Sequence, residues 1–225
     1  MPIITITLNV AIDALYSVDR LIPGRTHTAR TLSRRPSGKG INVARVCRQL
    51  GADTLALGFV GASESGLYRA DLDANGIKSA LTSVDGSTRV NTTIIEIAGD
   101  RRPETHLRST GYSVTPSDID ALIETLQATA TKNDWVCICG SLPDGMSLTD
   151  FERLCRLAKS QAAGLAVDAS GDALKSALAA VPDIVSPNEE ELLTLSLARD
   201  VEGSLAALAN MGIRLPVCTL GENGA

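Results

Sequence analysis

A Gly38-Lys39-Gly40 turn that opens directly onto a helical pattern is the part of the sequence best suited to bind a ligand. The free N–H groups at a helix N-terminus bind anions or sugar hydroxyls, and glycines let the ligand approach the backbone. The turn is not a Walker A loop, because Ser33 stands where the first glycine should be, and it is not a dinucleotide fingerprint, because Val43 occupies the third glycine position. The residues alone leave open whether this is a ligand-binding turn or a plain tight turn before a helix.

Four other polar residues have types that suit the binding of a polyol and phosphates. Asp13 follows the first strand pattern, and a carboxylate accepts hydrogen bonds from neighbouring hydroxyls, although a turn also favours Asp. Arg89 has a planar fork that suits phosphate, although the residue alone favours a solvated arginine at a strand end. Asn188 and Glu191 have the spacing of a helix capping box and also of a pair that could organise a metal–phosphate group.

Composition narrows the class of protein. The 225 residues carry a net charge of -5, and 44% of them are hydrophobic, which is ordinary for a globular α/β protein. The acidic balance argues against non-specific nucleic-acid binding. No apolar run approaches the ~20 residues that span a membrane, and residues 1–9 resemble a strand and not a signal peptide. We therefore expect neither nucleic acid nor membrane as a partner.

The cysteines predict a reducing compartment. Their number is odd and they are scattered through apolar segments, which is typical of reduced core thiols in a cytoplasmic protein. Two of them form a C-x-C pair inside a strand pattern, so both point to one face, and we interpret the pair as core packing because no further metal ligands lie nearby in the sequence. The five are Cys47, Cys137, Cys139, Cys155 and Cys218.

The elements that would position these residues alternate along the chain. Five cycles of strand and helix predict a mostly parallel sheet with helices on both faces. Two segments, at about residues 11–36 and 88–110, interrupt the alternation with β-like patterns and predict a small sheet that covers the carboxyl ends of the main strands as a lid. We expect one incomplete α/β domain over residues 1–225 that includes both lid segments.

The first predicted helix, at residues 41–50, has an apolar stripe. Val43, Val46, Cys47 and Leu50 fall on one side at helical spacing, and Gly51 follows as a stop signal. We predict that this stripe is the buried face of the helix.

Ordered motifs along the whole chain resemble the PfkB-type carbohydrate kinases, which have the ribokinase-like fold. Each motif alone is weak, but they occur in the family's order, and the closest branch is that of 1-phosphofructokinase and tagatose-6-phosphate kinase. The motifs are Thr7-Leu8-Asn9-Val10-Ala11-Ile12-Asp13, Gly38-Lys39-Gly40-Ile41-Asn42-Val43-Ala44-Arg45, Gly140-Ser141-Leu142-Pro143, Asp168-Ala169-Ser170-Gly171, Pro187-Asn188-Glu189-Glu190-Glu191-Leu192 and Thr219-Leu220-Gly221-Glu222-Asn223-Gly224-Ala225.

The resemblance implies roles for individual residues. Asp13 would hold the sugar hydroxyls and Arg89 the phosphate of the substrate, while Glu191 would help to organise magnesium. The resemblance further implies substrate binding by Gly38, Lys39, Asn42 and Ser141, and nucleotide binding by Asn188, Thr219, Gly221 and Gly224.

Several positions differ from the family pattern. Ser37 replaces the first glycine of the usual Gly-Gly-Lys-Gly, and Ser186 replaces a lysine before Pro-Asn. The segment Arg108-Ser109-Thr110-Gly111-Tyr112 replaces the usual Asn-Glu-Pro-Gly-Pro. The family's catalytic base, an Asp in Gly-Ala-Gly-Asp, has no counterpart here. We therefore assign no catalytic residue, expect the base beyond Ala225, and expect residues 1–225 alone to show no turnover.

The function implied by the resemblance is the ATP- and Mg²⁺-dependent phosphorylation of a hexose phosphate by in-line transfer. Fructose 1-phosphate is the first expectation for the substrate, followed by tagatose 6-phosphate and fructose 6-phosphate. A ribokinase- or adenosine kinase-like activity is the alternative enzyme, and a non-catalytic remnant that binds sugar phosphate is the alternative outside enzymes. Arg89 argues against a neutral sugar, which needs no phosphate-binding group. The family also implies a possible homodimer through the lid.

Overall fold

A computed structural model describes residues 2–99 and 101–225, which fold into a central sheet and a smaller separate sheet. The central sheet has seven parallel strands in the order β11-β10-β9-β8-β1-β4-β5. Its strands are β1 Ile3–Thr7, β4 Thr54–Gly61, β5 Lys78–Val84, β8 Trp135–Cys139, β9 Gly164–Asp168, β10 Ile184–Val185 and β11 Leu215–Pro216. The predicted parallel sheet is confirmed.

Seven α-helices accompany this sheet in the part of the chain that the structure describes. Helices α3, α4 and α5 contact one another in sequence and cover one face, while α1 and α2 pack on strands β1, β4 and β5. Their bounds are α1 Lys39–Gln49, α2 Ser65–Ala74, α3 Pro116–Thr129, α4 Leu148–Gln161, α5 Gly171–Leu178, α6 Glu189–Thr194 and α7 Val201–Asn210. None of these helices is both long enough and apolar enough to cross a membrane.

The smaller sheet is built from both segments that interrupt the strand–helix alternation. Its four strands, in the order β3-β2-β6-β7, are β2 Ala11–Val18, β3 Arg30–Ser37, β6 Arg89–Glu96 and β7 Glu104–Arg108. Strands β2 and β6 pair in parallel, and β3 and β7 flank them in antiparallel orientation. The predicted small sheet beside the main one is confirmed, and we call it the lid sheet.

The predicted buried stripe of the first helix is wrong for two of its four residues. Helix α1 buries Gly40, Ile41 and Ala44, whereas Val46 is 53% exposed and Leu50 is 82% exposed. Gly40 is the residue of α1 packed most tightly on β1, since a Cβ there would lie 2.5 Å from Oγ1 of Thr7, and Ile41 and Ala44 complete the buried face. Val43 and Cys47 are half-buried, and Val43 lines a recess with Cys137 and Cys139 of β8, so only the Val46 and Leu50 end of the stripe faces solvent.

Two buried tyrosines form hydrogen bonds to the chain segments that pass between the central sheet and the lid sheet. The Tyr68 hydroxyl lies 2.5 Å from the Ala11 carbonyl oxygen and 2.8 Å from that of Ser37, the first and last residues of the β2–β3 excursion. The Tyr112 hydroxyl lies 3.1 Å from the Leu8 carbonyl oxygen, and it accepts a hydrogen bond from the Val10 N–H at 3.2 Å. Burial raises the pKa of both phenols, so both remain protonated and able to donate at neutral pH.

Candidate active site

A cavity of about 260 Å³ lies where the lid sheet meets the N-terminus of α1. It collects residues from four separate stretches of sequence, and five of the six predicted substrate-binding residues line it. Its walls are formed by Ala11, Asp13, Ser37, Gly38, Lys39, Asn42, Arg89, Asn91 and Arg108. Ser141 is the predicted residue outside this lining.

The Gly38-Lys39-Gly40 turn lies against the end of β1. Gly38 has φ 150°, and a Cβ there would lie 2.7 Å from Cγ2 of Thr7. A Cβ at Gly40 would lie 2.5 Å from Oγ1 of Thr7 and 3.0 Å from the Ile6 carbonyl oxygen. Close packing therefore requires both glycines, and the same packing places the N-terminus of α1 in the wall of the cavity. The two interpretations of this turn are compatible.

Lys39 joins the turn to the end of β9. Its Nζ lies 3.1 Å from Oδ1 of Asp168, and the two side chains are 56% and 30% exposed. The lysine charge therefore already has a partner at the cavity. The sequence indicated Asp168 only as part of a family motif, and its contact with Lys39 spans 129 positions.

Asn42 is held in place from its own helix. Its Oδ1 accepts a hydrogen bond from Nη1 of Arg45 at 2.9 Å, and Arg45 also binds Oδ2 of Asp71 at 2.6 Å. The Asn42 Nδ2 group has no partner among the described residues, so it is available to donate to a ligand hydroxyl.

Asp13 and Asn91 form a side-chain pair within the lid sheet. Nδ2 of Asn91 donates to Oδ1 of Asp13 at 3.0 Å, and the two residues lie directly opposite each other on β2 and β6. Asp13 is half-buried, and its Oδ2 has no hydrogen-bond partner among the described residues. That oxygen is free to accept a hydrogen bond from a ligand donor. The sequence did not single out Asn91.

Arg89 begins β6 and is tied to the turn between β1 and β2. Its Nη2 donates to the Asn9 carbonyl oxygen at 3.0 Å, and its Nε lies 3.4 Å from the Val10 carbonyl oxygen. The Nε–Nη2 edge of the guanidinium is therefore engaged with the backbone, and Nη1 has no partner among the described residues. Arg89 both lines the cavity and fixes the turn beside it.

Ser141 reaches this network through Asn9. Nδ2 of Asn9 lies 3.4 Å from Oγ of Ser141 and 3.3 Å from the Leu142 carbonyl oxygen, while the Asn9 carbonyl accepts from Arg89. Ser141 is exposed at the carboxyl end of β8, so it stands near the cavity without lining it.

The predicted nucleotide-binding residues gather at the carboxyl ends of β10 and β11. Asn188 and Thr219 form an isolated parallel bridge, and the Thr219 N–H donates to the Pro187 carbonyl at 3.0 Å. Gly221 and Gly224 have φ 61° and 91°, and a Cβ added to either would meet no atom within 4 Å. These glycines are needed for their backbone conformation, and the surface beside them is open.

Asn188 and Glu191 form the capping box of α6. The Glu191 N–H donates to Oδ1 of Asn188 at 2.8 Å, and the Asn188 N–H donates to Oε2 of Glu191 at 2.9 Å. The Glu191 Oε1 atom has no partner, and within residues 2–99 and 101–225 no three acidic, histidine or cysteine side chains converge on one point. The cap is therefore present, and Glu191 keeps one free oxygen.

The paired thiols Cys137 and Cys139 stay protonated. Burial is the main cause that raises the pKa of Cys137 to about 11 and that of Cys139 to about 12. Both line a shallow apolar recess with Val43 and Ile184 on the face of the central sheet beside α1. Their place in a mostly apolar recess fits the interpretation as packing groups.

The chain is similar to carbohydrate kinases over nearly its whole length. The profile of the pfkB family carbohydrate kinase matches residues 4–225. The 1-phosphofructokinase of Rhodobacter capsulatus is 36% identical over 233 residues, which cover 99% of this chain and 72% of that protein. The 1-phosphofructokinase of Vibrio cholerae is 33% identical over 227 residues, 99% of this chain and 71% of the relative.

Solved structures show the same fold. Phosphofructokinase-2 from Escherichia coli in complex with fructose-6-phosphate superposes with a TM-score of 0.87 at 26% identity, covering 97% of this chain and 74% of that chain. The tetrameric inhibited form of the same enzyme gives a TM-score of 0.88. The central sheet, the separate lid sheet and these relatives together show a kinase that transfers a phosphoryl group to an alcohol, and the chain belongs to the pfkB family of carbohydrate kinases.

Proposed function

We propose that this chain binds fructose 1-phosphate in the cavity beneath the lid sheet for phosphorylation by ATP. The observation that carries the proposal is the cavity lining, which combines a hydroxyl-binding pair, Asp13 and Asn91, with the cationic Arg89. A carboxylate suits a polyol and a guanidinium suits a phosphate, so a sugar phosphate meets both. Relatives named 1-phosphofructokinase favour this hexose phosphate over tagatose 6-phosphate and fructose 6-phosphate.

In this proposal the protein acts mainly by positioning. Asp13 accepts a hydrogen bond from a sugar hydroxyl through its free oxygen, Asn42 donates to a second hydroxyl, and Arg89 holds the phosphate that the sugar already carries. Phosphoryl transfer depends on alignment and on stabilisation of charge more than on covalent chemistry. The turn and the N-terminus of α1 provide backbone N–H groups at the same cavity.

ATP and Mg²⁺ complete the proposal. The open glycine loop at Gly221 and Gly224 would accept the nucleotide phosphates, with Asn188 and Thr219 beside it. The free Oε1 of Glu191 suits a Mg²⁺ ion that takes its other ligands from water and phosphate oxygens, which is how this ion usually binds. When bound, the ion neutralises negative charge on the transferred phosphates.

The proposal is tested by calorimetric titration of the purified chain, because calorimetry measures binding without requiring turnover. We expect fructose 1-phosphate to bind at least about tenfold more tightly than fructose, since charge-assisted hydrogen bonds contribute about 1.5–3 kcal/mol. Tagatose 6-phosphate and fructose 6-phosphate serve as competing candidates. Equal affinity for fructose and its phosphate would contradict the proposal.

A variant separates hydroxyl binding from the general charge of the lid sheet. Asp13→Asn should weaken binding of fructose 1-phosphate, because the amide presents a donor where the sugar hydroxyl needs an acceptor. Asp19→Asn is the matched control, since Asp19 is exposed on the chain just after β2 and loses the same charge. If both substitutions alter the affinity equally, Asp13 does not bind the sugar.

We further propose a cytoplasmic homodimer that forms through the lid sheet. Leu32 on β3 and Leu107 on β7 are 47% and 55% exposed on the two outer strands of the lid sheet, where a partner chain would cover them. The free thiols support a reducing compartment. Sedimentation equilibrium tests the assembly: a monomer at micromolar concentration would contradict the dimer.

A further inference from the structure

Strand register places a row of four polar residues across the face of the lid sheet that meets the cavity. Asp13 lies opposite Arg35 on β3 and opposite Asn91 on β6, and Asn91 lies opposite Arg108 on β7. Directly opposite residues share a face of a sheet. Three of the four, Asp13, Asn91 and Arg108, line the cavity. The guanidinium of Arg108 is therefore the end of the row at the cavity.

Arg108 is positioned beside Arg89. Arg89 precedes Asn91 by two residues on β6, which makes Arg89 a diagonal neighbour of Arg108 on the same face. Diagonal neighbours in an antiparallel pair stand about 7–8 Å apart, a span that two arginine side chains bridge easily. The Val90 N–H donates to Oγ of Ser109 at 2.7 Å, which fixes the end of β7 against β6.

Among the charged residues that line the cavity, Arg108 is the one whose side chain pairs with no other described residue. Lys39 pairs with Asp168, and Arg89 has engaged two of its three nitrogens with backbone carbonyls. Arg108 makes no side-chain hydrogen bond or ion pair with the described residues, and it is exposed at the cavity. A phosphate monoester carries about -1.5 to -2 charges at neutral pH, more than one arginine neutralises. A second cation is therefore needed where Arg108 stands.

We propose that Arg108 is a specificity-determining residue that binds, together with Arg89, the phosphate already present on the sugar. The inference rests on the proposed function and assigns a role to the segment that departs from the family pattern. Arg108 supplies the free guanidinium fork, whereas the turn-bound Arg89 supplies its remaining Nη1 donor. Discrimination between a hexose phosphate and a neutral sugar then depends on Arg108 as well as on Arg89.

The test compares Arg108→Gln with the wild-type chain by calorimetric titration. We expect the Kd for fructose 1-phosphate to rise by about 10- to 100-fold, because the variant loses charge-assisted hydrogen bonds to the phosphate and a loss of this size is typical of such bonds. Binding of fructose should stay within experimental error, because fructose offers no phosphate. Arg108→Lys keeps the charge without the fork and should give an intermediate Kd.

Arg34→Gln is the matched control, because Arg34 lies on the same strand pair as Arg35 but faces the other side of the sheet. It removes the same charge, and we expect it to leave the Kd unchanged. If the wild-type chain does not distinguish fructose 1-phosphate from fructose, the proposed function fails. If the wild-type chain does distinguish them but Arg108→Gln binds as tightly, or Arg34→Gln loses as much affinity, only the role of Arg108 is refuted.

Discussion

Replacing Arg89 by alanine should weaken the binding of fructose 1-phosphate by about 100-fold, while the affinity for ATP changes little. The substitution removes a cation at the cavity and also two donors that hold the Asn9 and Val10 carbonyls. Truncation of a hydrogen-bonded charge in a partly buried site commonly costs about 2–5 kcal/mol. Titrations with fructose 1-phosphate and with ATP measure the two affinities separately.

Two further variants distinguish the causes of this loss. Arg89→Lys retains the charge but not the planar donors that bind the two carbonyls, so it should recover part of the affinity. Arg153→Ala removes an arginine on α4 that pairs with Asp120 at 2.6 Å and is not part of the cavity lining, so it should leave both affinities unchanged. Equal losses for sugar phosphate and ATP in Arg89→Ala would refute a phosphate-binding role.

The main sheet and the lid sheet were predictable because their patterns are local. Alternating apolar strands and capped helices can be recognised from about ten consecutive residues. The capping box of Ser147 and Asp150, which starts α4, is an example. Strand β5, Lys78–Val84, was not predicted. It is an edge strand whose residues are mostly half-exposed, so it lacks both a continuous apolar run and a strict alternation.

The stripe on α1 shows where helical spacing misleads. Periodicity identifies an amphipathic face but does not reveal how close the neighbouring strand lies. Thr7 approaches the helix so closely that glycines must occupy two positions there. The helix therefore turns Gly40, Ile41 and Ala44 towards the strands, and Val46 and Leu50 remain exposed.

The site was only partly predictable, because its remaining members are defined by long-range contacts. Asp13, Lys39 and Arg89 could be named from motifs, but the partners that orient them could not. Asn91 contacts Asp13 across 78 positions, and Tyr112 contacts Leu8 across 104. No local pattern encodes such a pair, and without the register of the lid sheet Arg108 is one exposed arginine among many.

Tyr112 acts as a positioning residue, and its substitution by phenylalanine should affect both stability and sugar-phosphate binding. The hydroxyl lies 2.9 Å from the Phe59 carbonyl oxygen, 3.1 Å from that of Leu8 and 3.2 Å from the Val10 nitrogen. Removing it leaves buried backbone groups unpaired, which costs about 1–3 kcal/mol. For a chain of this size that corresponds to a fall in the melting temperature of about 2–4 °C per kcal/mol.

The effect on binding follows from the turn that Tyr112 fixes. Residues 8–10 present the Asn9 carbonyl to Arg89 and the Asn9 side chain to Ser141. If this turn is held less firmly, the Arg89 side chain adopts a wider range of orientations. We expect about a tenfold rise in the Kd for fructose 1-phosphate at a temperature well below unfolding, because a misplaced charge-assisted hydrogen bond loses about 1.5 kcal/mol. ATP binding should not change.

Tyr16→Phe is the matched control, because Tyr16 lies on lid strand β2 and its hydroxyl makes no hydrogen bond with the described residues. It makes the same chemical change without unpairing any backbone group, so both the melting temperature and the Kd should stay at wild-type values. If Tyr112→Phe lowers the melting temperature without changing the Kd, Tyr112 stabilises the fold but does not position Arg89. If it changes neither, the turn is held by the packing of Leu8 and Val10, which are almost fully buried in the core.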